Sequence, residues 1–451
     1  MPVDTAVWQW LLVLASGLLF FFITPFSKTA AEFFSAADKK GTRPGLLMLT
    51  ASLVISWIFA KSITNAADLG LAFGMTGGVA YAVYYLSFLV AGVVIYQLRT
   101  QGGFGSIHQF LQSKYGRSAV VIFSILIAFR LFNEVWSNTM VIGGYFGAAG
   151  STPYYAAIVV FTLLTLAYTL KGGMRSSLLT DAVQMVLFGV LLFLILSLIM
   201  PQGEQTFTDY LHSGTWTFAG GLNLLFVALI QTFSYPFHDS VMTDRGFISD
   251  PKTTLRSFLW AALIGFFCLT AFSFVGVYAK FQGMQGTAAV EVSKTLGTAA
   301  MLAMNFIMIT SAASTLDSAF SSFSKLVVID LGKEKYKTVA RGRWAMAVLT
   351  LLGTIPIFFG AEILSATTIS GTMVMGLAPV FLLWKVKAPP LSFHLATGAG
   401  IVIGIVLALG LYPDVLLFTK GKYNALLSAN VWGILLCFAL FLIPCLLRKR
   451  L

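Results

Sequence analysis

The chain has 451 residues, of which 58% are apolar and only 10% charged, with forty Phe among them. An average soluble protein carries roughly a quarter charged residues, and mean hydropathy here is +0.86, so a water-soluble globule is excluded and most of the chain must sit in lipid. The net charge of +12 does not indicate nucleic acid, because Lys and Arg stand in short gaps between apolar runs and form no basic patch.

A helix that crosses the hydrocarbon core needs about 20 apolar residues. Thirteen segments meet or approach that length: 8–26, 46–67, 76–98, 118–147, 154–170, 176–200, 220–243, 256–279, 295–331, 344–361, 363–384, 394–412 and 428–447. The gaps are too short for an inserted soluble domain, so residues 1–451 read as one all-α multi-pass transmembrane domain. The first run has no basic leader and no clear small-residue cleavage site, and is expected to be a retained helix. Cys268, Cys437 and Cys445 lie in apolar stretches and show neither metal nor disulfide spacing.

The distribution of Lys and Arg tests this count. With the N-terminus outside, the cytoplasmic gaps and tail carry twenty-two of the twenty-nine, from Lys28 to Arg450. The opposite side carries Lys280, Lys294, Lys420 and Lys422, and three lie inside proposed helices: Lys61, Arg130 and Lys325. A wrong number of spans would scramble the alternation. Thirteen helices, N-terminus outside and C-terminus cytoplasmic, in the plasma (inner) membrane, are therefore expected.

Ionisable groups inside spans are costly, and each is a functional candidate. They are Lys61, Asp68, Arg130, Glu134, Asp181, His238, Asp239, Asp317 and Lys325. The plainer alternative for each is mutual neutralisation. The second segment turns polar at Lys61-Ser62-Ile63-Thr64-Asn65-Ala66-Ala67-Asp68. A polar run of weak helix formers at that depth predicts an interrupted helix lining a cavity, as transporters use near the midplane. Capping or snorkelling at a helix end is the alternative.

In the seventh segment Gln231, Ser234, Tyr235 and His238 follow the spacing of one helical face. Pro236 sits inside that patch and removes a backbone bond, which predicts a second break or an ordinary kink. In the ninth, Ser311, Ser314 and Thr315 share a face, extended by Ser318, Ser322 and Lys325. Hydroxyl and carbonyl oxygens suit a hard cation, although small polar residues also favour close helix packing. Arg130 and Glu134 stand at i, i+4, the spacing of an intrahelical ion pair. No nucleophile triad, phosphate loop or metal cluster is evident, so enzyme chemistry has no support.

Several segments are similar to a known family. The stretch Ser106 to Arg117, the run Gly172-Gly173-Met174-Arg175 with Thr180-Asp181 and Gln184, and Ser314-Thr315-Leu316-Asp317-Ser318 through Asp330-Leu331 resemble signatures of the sodium:solute symporter family. Ser56 to Ala60 through Phe73 to Gly77 looks most like its urea and proline branches. The resemblance implies an inverted 5+5 repeat with extra helices at both ends. Residues 46–200 would form the first repeat and 220–384 the second, placing the two expected breaks at equivalent helices. It implies a sodium site from the carbonyls of Ile55, Ile58 and Ser311 and the hydroxyls of Ser314 and Thr315, with Asp181 on the inner exit route of the ion. Solute would lie between segments 2, 4, 7 and 9, lined by Lys61, Ser62, Gln231, Ser234 and Tyr235.

The expected function is import of a small polar organic solute coupled to sodium by alternating access. One alternative is a proton-coupled or uncoupled carrier in which the Lys61 ammonium replaces sodium, with Asp317 or His238 involved. Another is a membrane solute sensor, expected to need a separate partner because the sequence ends just past the last apolar run. The partners implied are the solute and the bilayer, with no nucleic acid.

Overall fold

A computed structural model of the chain describes residues 5–36, 42–200, 205–359 and 370–448. All its regular elements are helical, and no strand occurs among the described residues. In chain order they are α1 (Thr5–Ile23), α2 (Ala30–Ser35), α3 (Leu46–Trp57), α4 (Ala60–Phe73), α5 (Met75–Ala82), α6 (Ser87–Thr100), α7 (Ile107–Tyr115), α8 (Arg117–Gly144), α9 (Thr152–Ile199) and α10 (Phe207–Leu211). There follow α11 (Asn223–Gln231), α12 (Ser240–Arg245), α13 (Pro251–Phe281), α14 (Ala288–Thr295), α15 (Thr298–Lys325), α16 (Val339–Thr354), α17 (Leu377–Leu382), α18 (Pro390–Ala408) and α19 (Asn424–Arg448).

Among the described residues, nine helices are long and apolar enough to cross a bilayer, and the bent pair α3–α4 makes a tenth. The thirteen expected runs differ from this count for three reasons. The 48 residues of α9 would stretch about 72 Å at 1.5 Å per residue, more than twice a hydrocarbon core of about 30 Å. They turn sharply at Gly173 (φ 59°, ψ −140°), between the expected runs 154–170 and 176–200. The run 220–243 is divided among α11, a 3-10 turn over Tyr235–His238 and α12. The run 363–384 lies partly outside the described residues, up to position 369.

Lipid-facing and protein-facing surfaces separate as the apolar composition requires. Phe22, Phe193 and Leu351 are exposed, whereas Ser311, Ser314, Thr315, Asp317, Ser318 and Ser322 of the ninth run are buried. The hub is made by α13, which packs on α3, α4, α5 and α6, and by α15, which packs on α9, α8, α3 and α16. Small residues set the closest approach. A Cβ at Gly276 would collide with the Ala67 carbonyl, and one at Gly70 with the Ser273 carbonyl, so α13 and α4 touch backbone to backbone.

Candidate functional site

The polar centre begins at the break between α3 and α4. The two helices meet at 58°. Ile58 (φ −77°, ψ 66°) and Phe59 (φ −59°, ψ 148°) leave the helical region. The break therefore precedes the polar run; Lys61 to Asp68, expected to be unwound, are helical in α4. Backbone groups released by the break find side-chain partners, as they must away from water. The Tyr85 hydroxyl donates to the Trp57 carbonyl at 2.5 Å. The Lys61 N–H donates to Asn138 Oδ1 at 3.2 Å. The Ile55 and Ile58 carbonyls receive no backbone donor among the described residues.

Four charges meet beside the break. Lys61 Nζ lies 2.7 Å from Glu134 Oε2, close enough for an ion pair but off-line for a hydrogen bond. Arg130 Nη1 lies 2.7 Å from Glu134 Oε1, the expected i, i+4 pair. Its Nη2 donates to Asp239 Oδ2 at 2.8 Å and its Nη1 donates to the Tyr235 hydroxyl at 2.5 Å. The Trp57 indole N–H donates to the same Asp239 oxygen at 2.9 Å, and Asp239 caps α12 by accepting the Met242 N–H. All four charged side chains are buried, and the two cations balance the two carboxylates.

A second network lies where α3, α9, α12 and α15 meet. Arg245 Nη2 donates to Asp181 Oδ2 at 2.9 Å, to Ser318 Oγ at 2.8 Å and to Ser177 Oγ at 3.2 Å. Its Nε donates to Ser52 Oγ at 2.6 Å. Ser52, Ser56 and Ser314 donate to Asp181, and Ser56 Oγ meets Ser318 Oγ at 3.1 Å. Asp317 accepts from Ser177 (2.7 Å), Tyr168 (2.8 Å), Thr180 (2.9 Å) and Ser318 (3.4 Å). No Lys or Arg pairs with Asp317 among the described residues. The network thus holds two buried carboxylates and one guanidinium, which pairs with Asp181 and not with Asp317.

Two cavities lie near these networks. One of about 590 Å³ is lined by Thr64, Tyr145, Glu291 and Lys294, one turn from Lys61. The other, about 420 Å³, is lined by Arg43, His108, Asp244, Lys325 and Asp330. Its floor is Lys325, 2.6 Å from Asp244 and 3.2 Å from Asp330. His108 Nδ1 stands 3.8 Å from Asp330. Burial pushes this imidazole below its usual range, more strongly than Asp330 raises it.

The sequence-derived candidates separate into groups. Lys61 and Tyr235 join the Arg130 network. Ser62 faces the Tyr81 hydroxyl at 3.1 Å. Gln231 accepts from Tyr84 (2.9 Å) and donates to Asn430 (2.9 Å), and the Ser234 hydroxyl donates to the Gln231 carbonyl at 3.4 Å. The single face expected for Gln231, Ser234, Tyr235 and His238 does not form, because the chain leaves the α-helix after Gln231 and re-enters as a 3-10 turn. His238 Nδ1 lies 2.6 Å from the Tyr235 carbonyl, and its Nε2 has no hydrogen-bond partner among the described residues. Asp68 accepts the Ala288 N–H at 2.8 Å, at the start of α14.

Asp181, Ser314 and Asp317 join the Arg245 network. Thr315 Oγ1 donates to the Ser311 carbonyl at 2.9 Å, and the Ser311 hydroxyl has no hydrogen-bond partner among the described residues. Sequence reasoning missed Arg245, which charge bookkeeping assigned to a loop, and Ser52, Ser56 and Ser177. The signal for two of these was present: Ser52 and Ser56 stand at i, i+4 in an otherwise apolar run.

The model of the sodium:solute symporter family matches residues 40–215. The urea-proton symporter DUR3 of Oryza sativa subsp. japonica is 22% identical over 532 aligned positions, covering all of this chain and 72% of that protein. Solute carrier family 5 member 4A of Mus musculus is 26% identical over 176 residues, 37% of this chain and 27% of that protein. Among solved structures, a Na+-coupled sialic acid symporter in a substrate-bound outward-open state matches with TM-score 0.73 at 16% identity, covering 97% of this chain and 98% of that one. MhsT in complex with L-phenylalanine matches with TM-score 0.57 at 14% identity, covering 88% and 98%. At these identities the structural likeness is one of fold: the chain has the all-helical fold of these proteins.

Proposed function

We propose that this chain, a member of the sodium:solute symporter family and a secondary transporter embedded in a membrane, imports a small polar organic solute together with sodium by alternating access. The observation that carries the sodium reading is the break at Ile58–Phe59. It leaves the Ile55 and Ile58 carbonyls without a backbone donor, in the segment whose Ser56 touches Ser318 of α15. With the Ser311 carbonyl and the Ser314 and Thr315 hydroxyls, these oxygens form a hard donor set. Both hydroxyls point their hydrogens at oxygen, Ser314 to Asp181 and Thr315 to Ser311, so their lone pairs remain for a cation. Asp181 then acts as a positioning residue on the ion's route to the His108 cavity.

Solute would bind between α4, α8, α15 and the 232–239 segment, with Lys61 and Tyr235 presenting the charged side of the pocket and Ser62, Gln231 and Ser234 its polar margins. Lys61 is engaged by Glu134, which favours sodium over a carrier in which the ammonium stands in for the ion. The first repeat is residues 46–200 and the second 220–384, with the N-terminus outside and the C-terminus cytoplasmic, as the basic gaps require. A sodium gradient drives the cycle only if the ion binds one state more tightly than the other.

The test is uptake into proteoliposomes with and without a sodium gradient. Replacing both Ser314 and Thr315 by Ala is expected to abolish sodium stimulation; unchanged stimulation refutes the ligand set. A second reading, proton coupling, is favoured by Asp317, a buried carboxylate without a basic partner among the described residues. Uptake driven by a pH gradient in sodium-free buffer, lost in Asp317→Asn, would establish it in place of sodium.

A further inference from the structure

The connection from α15 to α16 carries a feature that solute transport does not use. A groove of about 490 Å³ runs between the end of α15 and the start of α16. Its walls are Phe323, Val328, Ala345 and Val348, and Trp344 stands at its edge with 73% of its surface exposed. One end of this trough is strongly basic. The Tyr336 ring carries two cations, the Arg341 guanidinium 3.9 Å from its centroid and the Lys335 ammonium 4.6 Å away.

Neither cation has a carboxylate within ion-pair distance among the described residues. The nearby Asp244 and Asp330 are held by Lys325. Arg343 is engaged elsewhere, donating to the Leu170 carbonyl at 2.8 Å. The segment 333–343 holds five basic residues and one acidic one. Two like charges over one ring repel each other, and an anion shared between them removes that cost. The α16 N-terminus, capped by Thr338, adds a favourable dipole beside them.

A cationic head above an apolar trough, flanked by an exposed Trp and a Tyr, matches an anionic lipid at the membrane interface. An apolar partner helix would fill the trough but leave the cations unmatched. We propose that this groove binds one anionic phospholipid, its phosphate held between Lys335 and Arg341 and one acyl chain lying along Phe323, Val328, Ala345 and Val348.

The experiment uses the full chain, delipidated in detergent, with binding read by native mass spectrometry and by the melting temperature. The probes are phosphatidylglycerol, phosphatidylcholine with the same chains, and inorganic phosphate. Phosphatidylglycerol is expected to bind and stabilise; phosphatidylcholine and phosphate are not. Lys335→Gln with Arg341→Gln should weaken phosphatidylglycerol binding about thirtyfold, at roughly fivefold per basic residue. Lys420→Gln with Lys422→Gln, at the other end of the molecule, should leave it unchanged. Ala345→Phe, which fills the trough and keeps the charges, should also abolish binding; if that variant fails to fold, Val348→Trp at the exposed rim makes the same test. The proposal is overturned if the double Gln variant binds phosphatidylglycerol like the parent. It is equally overturned if phosphate alone stabilises as well as the lipid, or if the groove is occupied by a second polypeptide in crosslinking.

Discussion

Two buried charge networks lie on either side of the α3–α4 break, and they differ in arithmetic. Around Arg130, two cations face two carboxylates: Lys61 and Arg130 against Glu134 and Asp239. Around Arg245, one cation lies among two carboxylates: it pairs with Asp181, while among the described residues Asp317 is held by hydroxyls alone. A balanced set needs nothing further, and its members can lock α4, α8 and the 232–239 segment together. A set with excess negative charge away from water invites a cation or a proton. The contrast assigns different tasks to regions that composition alone would group together. Under the proposed function, the Arg130 network would hold the solute pocket in shape, while the Arg245 network would couple a mobile charge to the helices around it.

The largest effects come from unbalancing these sets. Glu134→Gln leaves Lys61 and Arg130 with Asp239 alone, and breaking a buried pair this way costs about 3–5 kcal/mol. Thermal unfolding in nanodiscs should register it as a large drop in melting temperature. Adding Lys61→Met restores neutrality and should recover most of the loss, a coupling that a double-mutant cycle measures. Arg245→Gln should be as damaging, because it strands Asp181. Asp317→Asn should cost only about 1 kcal/mol, the scale of one altered hydrogen bond, yet weaken the dependence of uptake on sodium or on pH. If Asp317→Asn destabilises as much as Glu134→Gln, the second network is a structural lock like the first and the contrast fails.

How much of this was legible follows from what sequence patterns encode. Lipid-spanning segments announce themselves by long apolar runs, and α1, α8, α13, α15, α18 and α19 follow the hydropathy closely. The i, i+4 pair of Arg130 and Glu134 was legible because helical spacing is local. The break in the second segment was expected from weak helix formers after Lys61, but it lies at Ile58–Phe59. Residues far along the chain stabilise it there: Tyr85, Asn138 and Asp239 take up the groups around it, and no window of sequence contains them. Arg245 was hidden for a related reason. It follows Asp244 near the end of a broken segment, where a cytoplasmic Arg is ordinary. Only the approach of Asp181, sixty-four residues away, makes it part of a site.

Gly173 sharpens the comparison at smaller cost. It turns α9 at φ 59°, and a Cβ there would meet Phe33. Tyr168 and Ser177, which lie on either side of the turn, both hold Asp317. Gly173→Ala should therefore cost roughly 1–3 kcal/mol of strain and shift the Arg245 network without touching the Arg130 network. In uptake assays this should appear as a weaker response to the driving ion with solute affinity nearly unchanged. Equal loss of both would mean that the turn supports the whole bundle and not one network.

The smallest expected effect tests whether the two networks communicate. Trp57 stands between them: its indole N–H reaches Asp239, and its carbonyl accepts the Tyr85 hydroxyl at the last turn before the break. Tyr85→Phe removes one hydrogen bond and leaves a buried carbonyl short of its side-chain donor, a cost of about 1 kcal/mol. The ring still packs edge-on against Trp57 and beside Phe88, so the fold should survive and melting should fall by only a few degrees. If the break transmits strain from one network to the other, the ion concentration giving half-maximal uptake should shift in Tyr85→Phe although Tyr85 touches neither Asp181 nor Arg245. A melting change with no shift in ion response would confine the Tyr85 bond to local support of the break, and the two networks would then act independently.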